Sequence, residues 1–195
     1  NKSLVMTENH LIYLFYLTLS LIAGNVILLH LKQFKLFKLI SVLTISSGLA
    51  SLIGTYLVSG HLPVYEKFTT LPNMGVIVLI LGSFYNRTPH LKGRNLNIIW
   101  YMALVLQLMV LFYEKKPNGS YFMYDKFYVI GFFQFRIAAV ALFLFAIANY
   151  LTALLKTTDN DYQIAIMHTG RNFTLLGAVF YLIGECPGSW WFFLW

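Results

Sequence analysis

Six apolar stretches, each of about the length that a bilayer demands, follow one another down this chain with short, basic connectors between them. In water, 195 residues could not hide that much apolar surface. In lipid, each stretch satisfies its own backbone by coiling into a helix, which leaves no N–H or C=O group facing hydrocarbon unbonded. The stretches fall at about Leu11 to Leu31, Leu39 to Ser59, Leu71 to Tyr85, Leu96 to Tyr113, Phe127 to Leu155 and Phe173 to the end. The predicted fold class is all-α, a polytopic transmembrane bundle of about six helices. At ~1.5 Å per residue the fifth stretch exceeds a hydrocarbon core of ~30 Å, so it is expected to tilt or protrude. The sixth is interrupted by Cys186-Pro187-Gly188. Proline removes a donor there and glycine loosens the backbone, so a kink or a stop is expected.

Charged residues make up only 11% of the chain, against about a quarter in a soluble domain. The deficit runs along the whole length, so residues 1–195 read as a single transmembrane domain. The final residues, Ser189 to Trp195, are apolar and aromatic without a polar stop, which reads as a portion of a longer chain. The net charge of +7 would raise nucleic-acid binding in a soluble protein. Here the basic residues sit mostly at helix ends, where they orient helices and meet headgroups, and no basic face is interleaved with aromatics. The expected contact is therefore membrane lipid, with no nucleic acid. The single cysteine, Cys186, excludes an intrachain disulfide and any CxxC metal site.

Connector charge sets an orientation. Lys32, Lys35, Lys38, Arg87, Lys92, Arg94, Lys156 and Arg171 share one side, and Lys2, Lys67, Lys115, Lys116 and Lys126 the other. The richer set is expected in the cytoplasm. Both ends of the chain, with the connectors from Gly60 to Thr70 and from Asn118 to Lys126, then face outward.

Function has to be sought in the residues that do not suit lipid. Arg136 lies about ten residues into the fifth stretch, and Glu185 lies in the sixth at a comparable distance from the outer face. A charge inside a membrane costs at least a few kcal/mol unless it is paired or snorkels, so the two are expected to pair. The pair reads either as a clamp between helices or as supporting charges for a site near the outer surface. Gln107, Asn25 and Asn149 are single polar residues, each able to hydrogen-bond across helices for ~1 kcal/mol. Small residues one turn apart, Ser47 with Ser51 and Ala50 with Gly54, would let another backbone approach the second helix. Of five histidines, His10 and His61 fall at the outer side and His30, His90 and His168 at the inner side. Histidine is a common haem and metal ligand and also an ordinary interface residue. His61 stands out by its setting, Gly60-His61-Leu62-Pro63, in an outward connector. Trp190, Trp191 and Trp195, with Phe192 and Phe193, read as an aromatic belt at headgroup level, or as a shelf for a planar hydrophobic ligand such as a porphyrin.

Three runs together resemble a known family. They are GHLPVYEKFTTLPNMGVIVLILG from Gly60, NGSYFMYDKFYVIGFFQFRIAAVALFLFAIA from Asn118 and MHTGRNFTLLGAVFYLIGECPGSWW from Met167. The chain from Gly60 onward resembles the CcsA/ResC group of cytochrome c biogenesis proteins. The first run is similar to an outward connector and its following helix, the second to a long helix entered from outside. The third is similar to the helix leading to a tryptophan-rich haem-handling motif. The resemblance implies haem as cofactor, presented at an external aromatic motif to apocytochrome c thiols, with histidines as axial ligands and a partner membrane protein. On that reading His61 is the metal ligand, Trp190, Trp191 and Trp195 form the shelf, and Arg136 and Glu185 are supporting charges. Catalysis in the ordinary sense is not expected of these residues alone. The chain departs from the family pattern in two places. No Trp-Asp-Pro run occurs, and the external histidine before the long helix is replaced by Tyr124-Asp125-Lys126-Phe127-Tyr128. Two further readings therefore stay open: a non-catalytic membrane subunit of a larger complex that has lost haem ligation, and a small-solute transporter.

Overall fold

The computed structural model describes residues 7–60, 62, 64, 66–85, 96–115, 127–155 and 160–193, with only the backbone of Tyr85 and of residues 191–193. Among them are six helices and no strand: α1 (Glu8–His30), α2 (Phe34–Ser59), α3 (Lys67–Tyr85), α4 (Leu96–Met109), α5 (Phe127–Leu155) and α6 (Asn160–Phe193). A 3-10 turn, Val110–Phe112, extends α4. Four helices (α1, α2, α3 and α5) are long and apolar enough to cross a membrane.

Local chemistry sets the helix ends. The Thr7 N–H donates to His10 Nδ1 at 3.1 Å, so an imidazole closes the start of α1. At the far end Lys32 takes the left-handed conformation (φ 56°). The Gln33 N–H returns to Leu28 O at 3.0 Å and the Lys32 N–H to Leu29 O at 3.2 Å, the paired bonds of a Schellman turn. That turn is tight enough to send α2 straight back along α1. Gly60 ends α2 at φ 74°, where glycine carries no Cβ penalty, and its N–H bonds Tyr56 O.

α2 shows which solvent the bundle is built for. Its inward face is small and polar: Ser41, Thr44, Ser47, Gly48, Gly54 and Thr55 are buried. Its outward face is Leu39, Val42, Ile53 and Leu57, each at least 60% exposed. A water-soluble helix would have these faces exchanged, whereas lipid solvates the outward leucines and leaves the hydroxyls to find partners inside. Thr18 and Ser47 hydroxyls meet at 2.8 Å, and Asn25 Nδ2 donates to Thr44 Oγ1 at 2.9 Å. Ala50, expected at a helix contact, faces outward instead, because the close approach runs along Gly48 and Gly54.

The helices alternate in direction. The α1–α2 bonds run antiparallel, and Phe15 stacks near Phe68 at the shared start of α1 and α3. Gly75 and Gly82 of α3 lie against Gln107 and Ile99 of α4. The second half of α5, around Leu142 and Phe145, shares one apolar core with Val78, Ile99 and Trp100. The start of α1, the Gly60 end of α2 and the last turns of α6 therefore lie at one end of the bundle, and Lys32 lies at the other.

α5 and α6 make the largest interface in the molecule, and α6 packs on α5 almost exclusively. Gly170, Gly177 and Gly184 recur every seven residues on α6 and are all buried. Each receives a large side chain of α5. A Cβ at Gly170 would lie 3.0 Å from the Tyr150 ring, one at Gly177 2.8 Å from the Phe143 ring, and one at Gly184 3.2 Å from Phe135 Cβ. Phe173 fills the space between, its ring 4.7 Å from that of Phe145. This is an antiparallel knobs-into-holes seam whose holes are glycines.

Two expectations are corrected here. α6 begins at Asn160, thirteen residues before Phe173, because the seam continues to Ile166 and Gly170. Cys186-Pro187-Gly188 neither stops nor ends the helix, which runs on to Phe193. Pro187 sits over Gly131, 3.6 Å from where a Cβ would stand, and the Phe132 ring covers Gly188, so docking on α5 compensates for the missing donor.

The seam predicts a contrast between glycines. Gly177→Leu should destabilise the protein by about 1–3 kcal/mol through overpacking against Phe143. Gly24→Ala has open space around it and should stabilise α1 by up to ~1 kcal/mol. Thermal unfolding in detergent measures both, and equal effects would contradict the seam.

Candidate functional site on the α5–α6 hairpin

Arg136 Nη2 donates to Glu185 Oε1 at 2.5 Å, joining α5 to α6. Gly184 lies beside the crossing: a Cβ there would stand in ordinary contact with Arg136 Cγ, at 3.7 Å. The guanidinium lies over the Phe132 ring at 4.1 Å and near the Tyr181 ring at 5.1 Å. Two ring faces and a carboxylate thus share its charge. The pair is not enclosed, its side chains being 38% and 40% exposed on the flank of the hairpin.

Its depth follows from the polarity of α6. The first third of that helix carries exposed Asp161, His168 and Arg171, and it runs beside the last turns of α5, where Gln163 Nε2 reaches Ala153 O. That part does not belong in hydrocarbon. The apolar remainder pairs residues 127–147 of α5 with 173–193 of α6, about 21 residues each and so ~30 Å long. Arg136 then lies ~14 Å from the Gly60 end, close to mid-depth. About nine residues of helix separate it from the nearer headgroup layer, too far for an arginine to reach alone.

Trp190 is 69% exposed on the last turns of α6, at the same end as Gly60. It lies five residues beyond Glu185, about 140° around the helix, and so does not share its face. His61 and Trp195 lie outside the described residues, and of Trp191 only the backbone is described. The structure therefore joins Arg136 to Glu185 and leaves Trp190 apart from them. His30 accepts or donates at Tyr101 Oη (2.8 Å) and contacts Val26 O (2.9 Å), which ties α1 to α4, and His168 is exposed on α6. No group of three or more His, Cys, Asp or Glu able to hold a metal occurs among the described residues.

Two features escaped the sequence reading. The seven-residue glycine spacing on α6 is visible in the sequence, but its meaning depends on the matching Phe143 and Tyr150, which are seven apart on α5. The partners of Asn25, Thr18, Thr44 and Ser47 could not be assigned without the α1–α2 register. Comparison with protein-family models, curated proteins and solved structures finds no match to this chain.

The geometry predicts coupling. Arg136→Ala and Glu185→Ala should each destabilise the hairpin, and the double variant should lose less than the sum, with an interaction of about 0.5–3 kcal/mol in a thermal-unfolding cycle. Additive losses would mean that the two charges are held independently.

Proposed function

We propose that this is an integral membrane protein of cytochrome c assembly that handles or presents haem at the outer face of a bacterial inner membrane, with its N-terminus outside. The observation that carries the reading is one of placement. The exposed Trp190 and the α2 exit at Gly60, which leads directly into His61, share one end of the bundle. The resemblance of the three runs to the CcsA/ResC group points to that same end. His61 would supply an axial nitrogen, and Trp190, Trp191 and Trp195 a flat apolar face for the porphyrin. Arg136 and Glu185 stay with each other and brace the helix that carries the tryptophans. Haem, when bound, would supply the iron that apocytochrome c ultimately receives.

A second reading, a non-catalytic subunit of a larger membrane complex, is favoured by one specific observation. An ion pair near mid-depth with both side chains more than a third exposed is poorly served by lipid tails and well served by a neighbouring helix.

Spectroscopy separates the two. The full-length protein purified in detergent should show a Soret band on its own or on adding haem, and His61→Ala should weaken it. Absence of the band under both conditions would falsify the haem reading. Orientation has its own check. In a Cys186→Ser chain carrying Leu62→Cys, a membrane-impermeant maleimide should label intact spheroplasts, and labelling only after lysis would invert the topology.

A further inference from the structure

Two buried amides in the α1–α4 unit carry an acceptor that no described residue answers, Oδ1 of Asn25 and Oε1 of Gln107. Both residues are essentially inaccessible, at 0% and 1% exposure. They stand on contacting antiparallel helices at nearly the same depth. Measured from the His30–Tyr101 hydrogen bond that ties α1 to α4, Asn25 lies about 7.5 Å along one axis and Gln107 about 9 Å along the other. α3 contributes no side chain opposite Gln107, because Gly75 stands there and a Cβ on it would meet nothing closer than 3.9 Å.

The neighbouring hydroxyls cannot turn to help. Thr44 gives its proton to Ile40 O and accepts from Asn25 Nδ2. Thr18 gives its proton to Leu14 O, so Ser47 must donate to Thr18. Every hydroxyl proton of this layer is committed, and what remains is acceptor capacity without formal charge. A guest here has to donate hydrogen bonds and has to be small. A bare cation would exchange its hydration shell for a few neutral oxygens with no carboxylate among them, a poor return in an apolar interior.

We propose that ordered water occupies the interior of the α1–α4 unit, donating to Asn25 Oδ1 beside α2 and to Gln107 Oε1 beside α3. Water also suits either orientation of the terminal amides, since turning one round exchanges an acceptor for a donor. The site makes the middle of the four-helix unit a hydrated polar layer within an apolar shell. It is independent of the haem reading, sharing no residue with it.

Gln107→Met tests the idea by the sign of its effect. Methionine keeps the length of the side chain and removes the amide. If Gln107 Oε1 is dry and unanswered, removing it relieves a penalty and Tm in detergent rises. If water is bonded to it, the variant strips the water of a partner and Tm falls. A second readout does not depend on the variant's stability. In protein labelled with nitrogen-15 at glutamine, the Gln107 side-chain amide should show a cross-peak at the water frequency, assigned by its loss in Gln107→Met or its movement in Gln107→Glu. A falling Tm with the cross-peak present supports the proposal. A rising Tm, a missing cross-peak, or a Gln107 resonance that moves when sodium or potassium replaces choline in the buffer overturns it, the last in favour of a cation.

Discussion

Lipid takes away the force that assembles soluble helix bundles. An apolar helix face gains nothing by leaving hydrocarbon for another apolar face, so association has to come from close packing and from hydrogen bonds that lipid cannot offer. This chain uses the two means in different places. α1 and α2 are joined through hydroxyls and an amide, Thr18 to Ser47 and Asn25 to Thr44. α5 and α6 are joined through shape, with aromatic rings seated in glycine notches. Both devices place the unusual residues inside and the leucines outside, as the buried and exposed faces of α2 show.

The candidate site is a consequence of the second device. Arg136 reaches Glu185 across the α5–α6 contact, and Gly184 beside them faces α5 in the register that Gly170 and Gly177 set two and one heptads earlier. The rings that receive the guanidinium, Phe132 and Tyr181, come from both sides of the seam. Pro187 is accommodated over Gly131, so the chain carries α6 unbroken from the ion pair to Trp190. A change in the seam would therefore be felt at the ion pair and at the tryptophan end together.

Much of the architecture was readable from apolar length alone. Phe127 to Leu155 is the helix as found, and the second helix ends at Ser59 as expected, because glycine follows in both the sequence and the left-handed cap. The starts were read late where polar residues continue an apolar helix. Lys67 and Asn160 open α3 and α6 well before the first hydrophobic run, since packing against a neighbour extends a helix beyond the segment that lipid requires. A stop at Cys186-Pro187-Gly188 does not occur, for a related reason. Proline weakens an isolated helix, but the partner contact at Gly131 is a tertiary fact that local sequence does not carry. The Arg136–Glu185 partnership was readable because two opposite charges in hydrocarbon have few other options. Their depth follows from the place of Arg136, about nine residues in from Phe127, on the part of α5 that faces the apolar part of α6.

That depth bears on function. A charge pair at the headgroup level can be accidental, since water is near and the cost is small. Near mid-depth each charge would cost a few kcal/mol or more if left alone, and even a good pair leaves a dipole that lipid solvates badly. The protein surrounds this dipole with the Phe132 and Tyr181 rings on the guanidinium side and leaves the rest open on the hairpin flank. A plain helix clamp would be achieved more cheaply by one more glycine notch, of which the seam already has three at heptad spacing. The charges add what shape cannot, a fixed polar point on a lateral surface, and α6, which leans on α5 almost alone, leaves its other faces free to present it.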